Sequence, residues 1–358
     1  MSEVRHPASA RTARAARYHG VKDVRLEQIQ VPAPGAGEVT IAVSHTGVCG
    51  SDLHEYFSAQ TVTPTEPHPL TGATLPVVLG HEFAGVVVEV GAGVTERAVG
   101  DRVAVRPTYS CGECASCLRG HPNTCTKLAF HGLSAHGGGL ADFTNVAASM
   151  TFALPDDVSM VQGALVEPMA VAYHGVRLAV TEQTRVAFVG GAGPIGLGAI
   201  AALRSLGVAT IIASDPSASR REAALRLGAD EAFDPAVTTL GEALAGRTLD
   251  VAIEAAGVAA VVETAVTELG PRGTVVLLGI HERPMPFDPT SLLYREVRLA
   301  GSSTYTDDDY RAVIAAMAAG GYDPSGWVET RPLEELHSTF EELRTGGPVK
   351  VLIELQPS

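Results

Sequence analysis

Residues 186–196 have the sequence Val-Ala-Phe-Val-Gly-Gly-Ala-Gly-Pro-Ile-Gly. The apolar start predicts a buried strand, the glycines predict a tight turn, and Pro194 is well placed to open a helix. This glycine pattern is weak evidence alone, but between a strand and a helix it is typical of a dinucleotide-binding fold. Asp215 ends the next predicted strand, 19 residues after Gly196, where that fold places an acidic residue.

Each glycine of this turn has a separate expected task. Gly191 makes the turn, Gly193 lets the backbone approach a pyrophosphate, and Gly196 lets helix and strand pack closely. The helix that opens at Pro194 adds unpaired N–H groups and the positive end of its dipole. The alternative is a tight turn that binds nothing.

The cofactor prediction rests on residues beyond the turn. Asp215 would accept hydrogen bonds from the adenosine ribose and repel a 2′-phosphate, so we predict NAD, although Arg220 and Arg221 leave NADP open. Gly279 and Ile280 follow a later strand at the same edge, where they either line the nicotinamide or only form a turn. The candidate cofactor-binding residues are Gly191, Gly193, Pro194, Ile195, Gly196, Asp215, Arg220, Gly279 and Ile280.

The pattern of predicted strands and helices changes at about residue 164. From there to 303, predicted strands alternate with helices, which indicates an α/β domain with a doubly wound parallel sheet. Residues 17–163 contain short alternating runs separated by Pro and Gly, which indicates a mostly β domain, and we expect 304–358 to return to it. Residues 1–16 are rich in arginine, which is typical of a flexible leader or, as the alternative, a targeting segment.

Composition and charge exclude several classes of protein. The chain has 358 residues, enough for about two domains, and a formal net charge of −14. This acidic balance argues against nucleic-acid binding, and no apolar run reaches the roughly 18 residues of a membrane helix. The five cysteines all lie in the first 125 residues, which indicates metal binding in a reducing compartment. We therefore expect a cytoplasmic protein.

Four of these cysteines form a compact cluster, Cys111, Cys114, Cys117 and Cys125. Four thiolates at this spacing are typical of tetrahedral zinc. Such a site has no vacant coordination position, so we predict a structural zinc. An iron–sulfur cluster and four unrelated buried thiols are the alternatives.

The fifth cysteine, Cys49, is separate from that cluster. His81 follows about thirty residues later and Glu167 much later. One thiolate, one imidazole and one carboxylate are the ligand types of a catalytic zinc that keeps a position for substrate. Each residue also has an ordinary structural explanation, as a buried thiol or a core histidine, and the spacing alone does not assemble them.

A family resemblance connects these residues. The segments 47–52 (Gly-Val-Cys-Gly-Ser-Asp), 80–85 (Gly-His-Glu-Phe-Ala-Gly) and 99–103 (Val-Gly-Asp-Arg-Val), together with the cysteine cluster, occur in the order found in zinc-containing medium-chain dehydrogenases. The resemblance covers nearly the whole chain from about Arg17. Segments 51–56, 68–72 and 166–171 look most like those of 2,3-butanediol dehydrogenases, with sorbitol and threonine dehydrogenases as near relatives.

The resemblance implies an architecture and an active site. It implies a GroES-like catalytic domain beside the Rossmann domain, and two zinc ions per chain. Cys49, His81 and Glu167 would hold the catalytic zinc, with Glu82 beside the metal and able to replace Glu167. The zinc would act as a Lewis acid on the alcohol oxygen, hydride would pass to NAD, and Ser51 and His54 would pass the proton outward. Ser51 has a structural alternative as a helix N-cap.

The implied activity is the reversible oxidation of a secondary alcohol, most closely 2,3-butanediol to acetoin. Sorbitol and L-threonine 3-dehydrogenase activities are the near alternatives, and a non-catalytic zinc-stabilised dinucleotide-binding protein is the alternative from another class. The expected partners are a small secondary alcohol or diol and copies of the same chain in a dimer or tetramer. Neither nucleic acid nor a membrane is expected.

Overall fold

The computed structural model describes residues 10–58, 62–285 and 288–355. Residues 1–9 of the predicted leader and 356–358 of the predicted C-terminal segment lie outside the described residues. The chain divides into two compact units, Met1–Glu167 with Val328–Ser358, and Pro168–Trp327. Among the described helices, none has both the length and the apolar character needed to cross a membrane.

The strands of the described residues are numbered in chain order. They are β1 (Arg11–Gly20), β2 (Asp23–Val31), β3 (Glu38–Gly47), β4 (Val77–Val78), β5 (Glu82–Val90), β6 (Arg102–Val105), β7 (Thr108–Tyr109), β8 (Ala129–Phe130), β9 (Phe143–Ala147), β10 (Thr151–Ala153), β11 (Val186–Gly190), β12 (Thr210–Ser214), β13 (Glu231–Phe233), β14 (Leu249–Glu254), β15 (Leu269–Leu277), β16 (Arg298–Gly301), β17 (Val328–Pro332) and β18 (Lys350–Glu354).

The α-helices are numbered in the same way. They are α1 (Gly50–Phe57), α2 (Ala115–Leu118), α3 (Met160–Ala179), α4 (Pro194–Ser205), α5 (Ala218–Arg226), α6 (Leu240–Leu244), α7 (Ala259–Glu268), α8 (Thr290–Leu293), α9 (Asp307–Ala318) and α10 (Leu336–Arg344).

The first unit is built mainly from antiparallel strands. Its largest sheet has the order β10-β6-β5-β3-β18-β17, and β9 also pairs with β3. Alternating apolar residues face one core, which includes Tyr18, Ile41, Phe83 and Val351. The C-terminal strand β18 pairs antiparallel with β3, so that Leu352 lies opposite Gly47. The last described strand therefore pairs with β3, which ends two residues before the first cysteine.

The second unit contains the doubly wound sheet that residues 186–196 predict. Its six strands have the order β13-β12-β11-β14-β15-β16, and every adjacent pair is parallel. Strand order reverses between β11 and β14, and ligands of such sheets bind beyond the carboxyl ends of the strands at that point. Gly190 at the end of β11 pairs with Glu254 at the end of β14.

The last residues of the predicted leader 1–16 lie in a strand. Strand β1 begins at Arg11 and pairs with β2 from Arg11 opposite Val31. Of the arginines in this predicted leader, Arg14 makes ion pairs with Asp142 and Glu334. A composition count cannot detect such partners, because both are distant in the sequence.

The structure also moves the predicted boundaries of the second unit from 164 and 303 to 168 and 327. Helix α9 therefore belongs to the same unit as the parallel sheet. A buried contact explains the shift, because the Asp309 carboxylate of α9 accepts hydrogen bonds from His174 Nδ1 and Arg177 Nε of α3, each at 2.8 Å. His174 therefore joins α3 to the neighbouring helix α9.

Asp309 generates a stability prediction. Burial alone would raise its pKa, but hydrogen bonds from His174, Thr306 and Arg177 outweigh burial and hold the pKa well below its usual value. The resulting stabilisation is present above the unfolded pKa of the carboxyl group and is lost as the pH falls through the folded pKa. We expect Asp309→Asn to lower the free energy of unfolding by about 3 kcal/mol at neutral pH, with a smaller difference in acid.

Denaturant unfolding of both proteins measures this difference. Asp308→Asn is the matched control, because the Asp308 side chain is 90% exposed, and a change within about 0.5 kcal/mol is expected there. Equal losses in the two variants would contradict the assigned role of Asp309.

Candidate functional site

The four clustered cysteines lie close enough to hold one metal ion. The sulfur atoms of Cys111, Cys114, Cys117 and Cys125 are all within 4.8 Å of one another. Helix α2 supplies Cys117, and Cys114 is its N-cap. The four residues are free cysteines. The chemistry and spacing of this donor set fit a structural zinc.

Backbone amides favour the thiolate form that a metal needs. The N–H groups of Cys117 and Thr126 lower the pKa of Cys114 to about 5. Cys125 Sγ accepts from the N–H groups of Cys111 and Lys127, each at 3.3 Å. Amide hydrogen bonds to sulfur stabilise negative charge there. Burial and the neighbouring thiols raise the pKa of Cys117 to about 11, so its thiolate would form only with a metal ion bound.

A second group of metal-ligating side chains consists of Cys49, His81 and Glu82. Their ligand atoms also lie within 4.8 Å of one another. Cys49 is the N-cap of α1 directly after β3, and His81 immediately precedes β5. The antiparallel pairing of β3 and β5 sets Gly47 opposite Glu82. Sheet register therefore assembles this group from residues about thirty positions apart.

Glu82 is held by a buried lysine that the sequence analysis did not select. Lys350 Nζ donates to Glu82 Oε2 and to the carbonyl of Val48 at 2.9 Å. Burial lowers the pKa of Lys350, but the negative charge of Glu82 outweighs it, and the pKa is raised. In the sequence, Lys350 is recognisable only as a single basic residue at the start of an apolar strand.

Gly47 provides the space for this ion pair. A Cβ atom at position 47 would lie 2.0 Å from Glu82 Oε2 and 3.1 Å from Lys350 Cε. Real Cβ atoms do not approach other heavy atoms this closely. The pair therefore requires glycine at the end of β3.

His81 lies beside Asp52, a second residue that sequence reasoning missed. Asp52 Oδ1 lies 3.5 Å from His81 Nδ1, and its Oδ2 accepts from the Cys49 amide at 2.9 Å. Burial disfavours the imidazolium, but the negative charges of Asp52 and Cys49 raise the pKa of His81 well above its usual value. A metal ion at Nε2 would replace that proton, and a carboxylate on the other ring nitrogen is the usual partner of a ligating histidine.

Ser51 lies beside the same imidazole. Its Oγ is 3.3 Å from His81 Nε2. The N-cap of α1 is Cys49, so the alternative role of Ser51 as an N-cap is wrong. His54, three residues later on the same helix, is half-buried.

Glu167 stands apart from this description. It is buried on α3, but the group of mutually close ligand atoms contains Glu82 in its place. Its predicted role as a zinc ligand stays a prediction. The thiol, imidazole and carboxylate of Cys49, His81 and Glu82 are by themselves a donor set that suits zinc.

The glycine turn of the second unit adopts the expected geometry. Gly191 has a φ of +93°. A Cβ at position 196 would lie 1.8 Å from the Gly191 carbonyl oxygen, whereas a Cβ at 193 would meet nothing within 4 Å. The turn therefore has no room for a side chain at position 196, which packs against the Gly191 carbonyl. At Gly193 it is open, and a ligand can approach the backbone there.

A cavity of about 610 Å³ lies beside this turn. Its lining includes Gly191, Gly193, Asp215 and Arg220, four of the predicted cofactor-binding residues. Pro194, Ile195 and Gly196 form the start of α4. Gly279 and Ile280, although within the described part of the chain, are not part of the lining, so their predicted contact with the nicotinamide stays a prediction.

Asp215 is held in place at the cavity wall. Its two oxygens accept the amides of Ala192 and Ser217, each at 2.9 Å. Arg220 Nη1 lies 3.8 Å from Asp215 Oδ2, whereas Arg221 donates to the backbone carbonyl of Asp215 at 2.8 Å. Only Arg220 of the two arginines therefore faces the cavity.

Comparisons with known proteins match both units. The model of the alcohol dehydrogenase GroES-like domain covers residues 35–156, and that of the zinc-binding dehydrogenase family covers residues 194–319. These matches and the parallel sheet confirm the predicted combination of a GroES-like and a Rossmann domain.

Two curated relatives extend over nearly the whole chain. The chain is 39% identical over 353 residues to (R,R)-butanediol dehydrogenase of Bacillus subtilis (strain 168), which covers 95% of this chain and 99% of the relative. It is 33% identical over 354 residues to sorbitol dehydrogenase of Bombyx mori, which covers 96% and 98%.

Two solved structures are similar to this chain over nearly its whole length. The crystal structure of 2R,3R-butanediol dehydrogenase from Bacillus subtilis has a TM-score of 0.89 at 37% identity and covers 97% of this chain and 100% of its own. A dehydrogenase described as zinc-binding, from Sinorhizobium meliloti 1021 and bound to NADP, has a TM-score of 0.87 at 32% identity and covers 96% and 99%.

The two groups of ligands predict separable effects of metal loss. We expect about two zinc ions per chain. Cys117→Ser should reduce this to about one and lower the melting temperature, because the loop loses its cross-link. Cys49→Ser should also leave about one zinc, with a nearly unchanged melting temperature.

Metal analysis and thermal unfolding of the purified variants measure both effects. Ser116→Ala, within the cysteine loop but not a ligand, is the control and should keep both ions. A wild-type content of about one zinc would show that one of the two groups is not a metal site.

Proposed function

This chain belongs to the alcohol dehydrogenase family of zinc-binding, NAD(P)-linked oxidoreductases, and from that premise we propose that it oxidises 2,3-butanediol to acetoin with NAD. The close approach of the Cys49, His81 and Glu82 ligand atoms supports an alcohol-binding metal site. The 39% identity to (R,R)-butanediol dehydrogenase supports the choice of substrate.

The residues of the first unit divide the tasks at this site. Cys49, His81 and one carboxylate, Glu82 or Glu167, would hold the metal. Zinc bound there supplies a Lewis acid that lowers the pKa of an alcohol. Asp52 lies beside the ring of His81, with its Oδ1 3.5 Å from Nδ1, so that Nε2 is the nitrogen that would bind the metal. Lys350 donates to Glu82 Oε2, so Glu82 is already engaged by an ammonium group, and Glu167 would serve as the alternative carboxylate ligand.

Ser51 and His54 would move the proton of the alcohol. Ser51 Oγ lies 3.3 Å from His81 Nε2, at the inner end of α1, and a hydroxyl accepts and donates at once. His54 lies on the same helix face as Ser51, since residues three apart are neighbours on a helix. An imidazole there would accept the proton and exchange it with solvent.

One aromatic side chain near the candidate metal site supports the proposal of a small aliphatic substrate. The Phe130 ring centroid lies 6.5 Å from that of His81, which places an apolar surface beside the candidate metal site. A methyl group of butanediol would pack against such a surface, whereas a hydroxyl of a longer polyol would lose hydrogen bonds there. Sorbitol oxidation is the second candidate, because the chain is 33% identical to a sorbitol dehydrogenase.

The activity is tested by NADH formation with butanediol stereoisomers, sorbitol and L-threonine in parallel. We expect the highest kcat/KM with (2R,3R)-butanediol. Ser51→Ala should lower kcat roughly 100-fold, while Ser58→Ala, at the exposed end of α1, leaves it unchanged. A zinc-loaded protein that oxidises none of these alcohols would refute the proposed activity, and a higher kcat/KM with sorbitol would replace the substrate.

The preference for NAD follows from Asp215. Its buried carboxylate borders the cavity and would repel a 2′-phosphate, while Arg220 beside it would tolerate one. Asp215→Ser should therefore lower the ratio of kcat/KM for NAD to that for NADP by roughly 100-fold, about 2.7 kcal/mol of discrimination. Steady-state kinetics with both cofactors measures the ratio. The exposed Asp157→Ser is the control, and an unchanged ratio in Asp215→Ser would rule out Asp215 as the discriminating residue.

A further inference from the structure

A second carboxylate is buried where the strand order of the parallel sheet reverses. Glu254 ends β14 and is 0% exposed. Its Oε1 accepts the backbone amides of Ala256 at 2.8 Å, Gly257 at 2.6 Å and Val258 at 3.3 Å. The other oxygen, Oε2, is 3.0 Å from His281 Nε2. A single side chain thus binds two loops, one before α7 and one after β15.

The fit of these two loops leaves no free space. Leu278 and Gly279 both donate their amides to the backbone carbonyl of Glu254, at 2.8 and 3.0 Å. A Cβ at Gly279 would lie 2.7 Å from Glu254 Oε2, and one at Gly257 would lie 2.4 Å from the carbonyl oxygen of Ile280. Any shift of the carboxylate therefore moves both loops.

The loop held by Glu254 forms a wall of the cavity beside the glycine turn. Ala255, Ala256 and Val258 line it together with Gly191 and Gly193. The contact between the loops is direct, because the Ala255 amide donates to the Gly190 carbonyl at 2.9 Å. The position of this wall therefore affects any ligand that occupies the cavity.

Two helix N-termini meet at this edge of the sheet, and they differ in one respect. The amides that precede α7 are already occupied by the Glu254 carboxylate, whereas Gly193 at the start of α4 faces open space. An anionic ligand gains from free amides at a helix N-terminus and is repelled by a buried carboxylate. The start of α4 is therefore the better of these two N-termini for an anionic group.

His281 is the basic side chain that contacts this carboxylate among the described residues. It is 20% exposed, whereas the carboxylate is fully buried. An uncompensated buried charge is costly, and a hydrogen bond to it is stronger than one between neutral groups. His281 therefore stabilises the charge that holds the loop before α7.

We propose that Glu254 and His281 are a positioning pair that holds the wall of the dinucleotide cavity and sets the affinity for NAD and NADH. The pair touches the loops rather than the reacting atoms, so it acts on cofactor binding and not on the chemical step. The proposal rests on the proposed function only in taking NADH as the ligand.

The test measures NADH binding to the full-length, zinc-loaded protein by fluorescence titration. We expect His281→Ala to raise the Kd for NADH roughly 10-fold, because one hydrogen bond to a charged group is lost. His281→Gln, which keeps an N–H donor, should restore the Kd to within about 3-fold of the wild type. The exposed His136→Ala, in the other compact unit, is the control and should bind NADH normally.

Kinetics and unfolding separate this role from a merely structural one. KM for NAD should rise in His281→Ala, while kcat and KM for the alcohol stay unchanged. A lower melting temperature with an unchanged Kd for NADH would overturn the proposal, as would failure of His281→Gln to restore binding. If His281→Ala does not fold, the same comparison is made with Glu254→Gln, in which an unchanged Kd overturns it.

Failure of the proposed function has a different result. A wild-type protein that does not bind NADH refutes the dinucleotide assignment, and with it the positioning pair. A wild-type protein that binds NADH but oxidises none of the alcohols refutes only the substrate.

Discussion

The antiparallel pairing of β3 with β5 is the constraint on which the candidate metal site depends. Because Gly47 lies opposite Glu82, the ends of these strands bring Cys49 and His81 together although they are distant in the sequence. The neighbouring pairing of β3 with β18 places Lys350 beside them. A shift of one residue in either register would turn these side chains to the opposite face of the sheet. The register of these strands therefore determines the geometry of the candidate metal site.

In the second unit, the common edge of the parallel strands, rather than antiparallel register, brings the candidate binding residues together. Parallel strands end at one edge, so β11 and β14 deliver the glycine turn and Glu254 to the same place without any side chain crossing the sheet. Backbone amides lie on both sides of that point. The backbone at Gly193 faces open space, whereas the amide of Gly257 donates to the Glu254 carboxylate.

The sequence predicted those features that depend on local pattern. The strand–helix alternation of the second unit was visible because parallel strands buried on both faces are continuous apolar runs, and the spacing of Cys111 to Cys125 predicted a compact group of thiols. The assignment of Cys49 and His81 required family resemblance, because their contact depends on strand pairing. Lys350 could not be found in this way, since a lysine in a strand is usually exposed.

The same reason explains the errors. Arg14 of β1 contributed to the prediction of a leader because its acidic partners Asp142 and Glu334 lie far along the chain. Residues 304–358 were predicted to return to the first unit, whereas the structure places α9 in the second, with the Asp309 carboxylate buried against α3. In each case a long-range ion pair decided the structure, and only the fold brings its partners together.

The Glu82–Lys350 pair also links strands that are distant in the sequence. Glu82 lies on β5 and Lys350 on β18, the two strands that flank β3, and Lys350 donates both to Glu82 and to the carbonyl of Val48, which follows β3. A single buried ion pair therefore spans three neighbouring strands. Because a buried charge without its partner is costly, neutralising one member of the pair would destabilise the sheet more than replacing both.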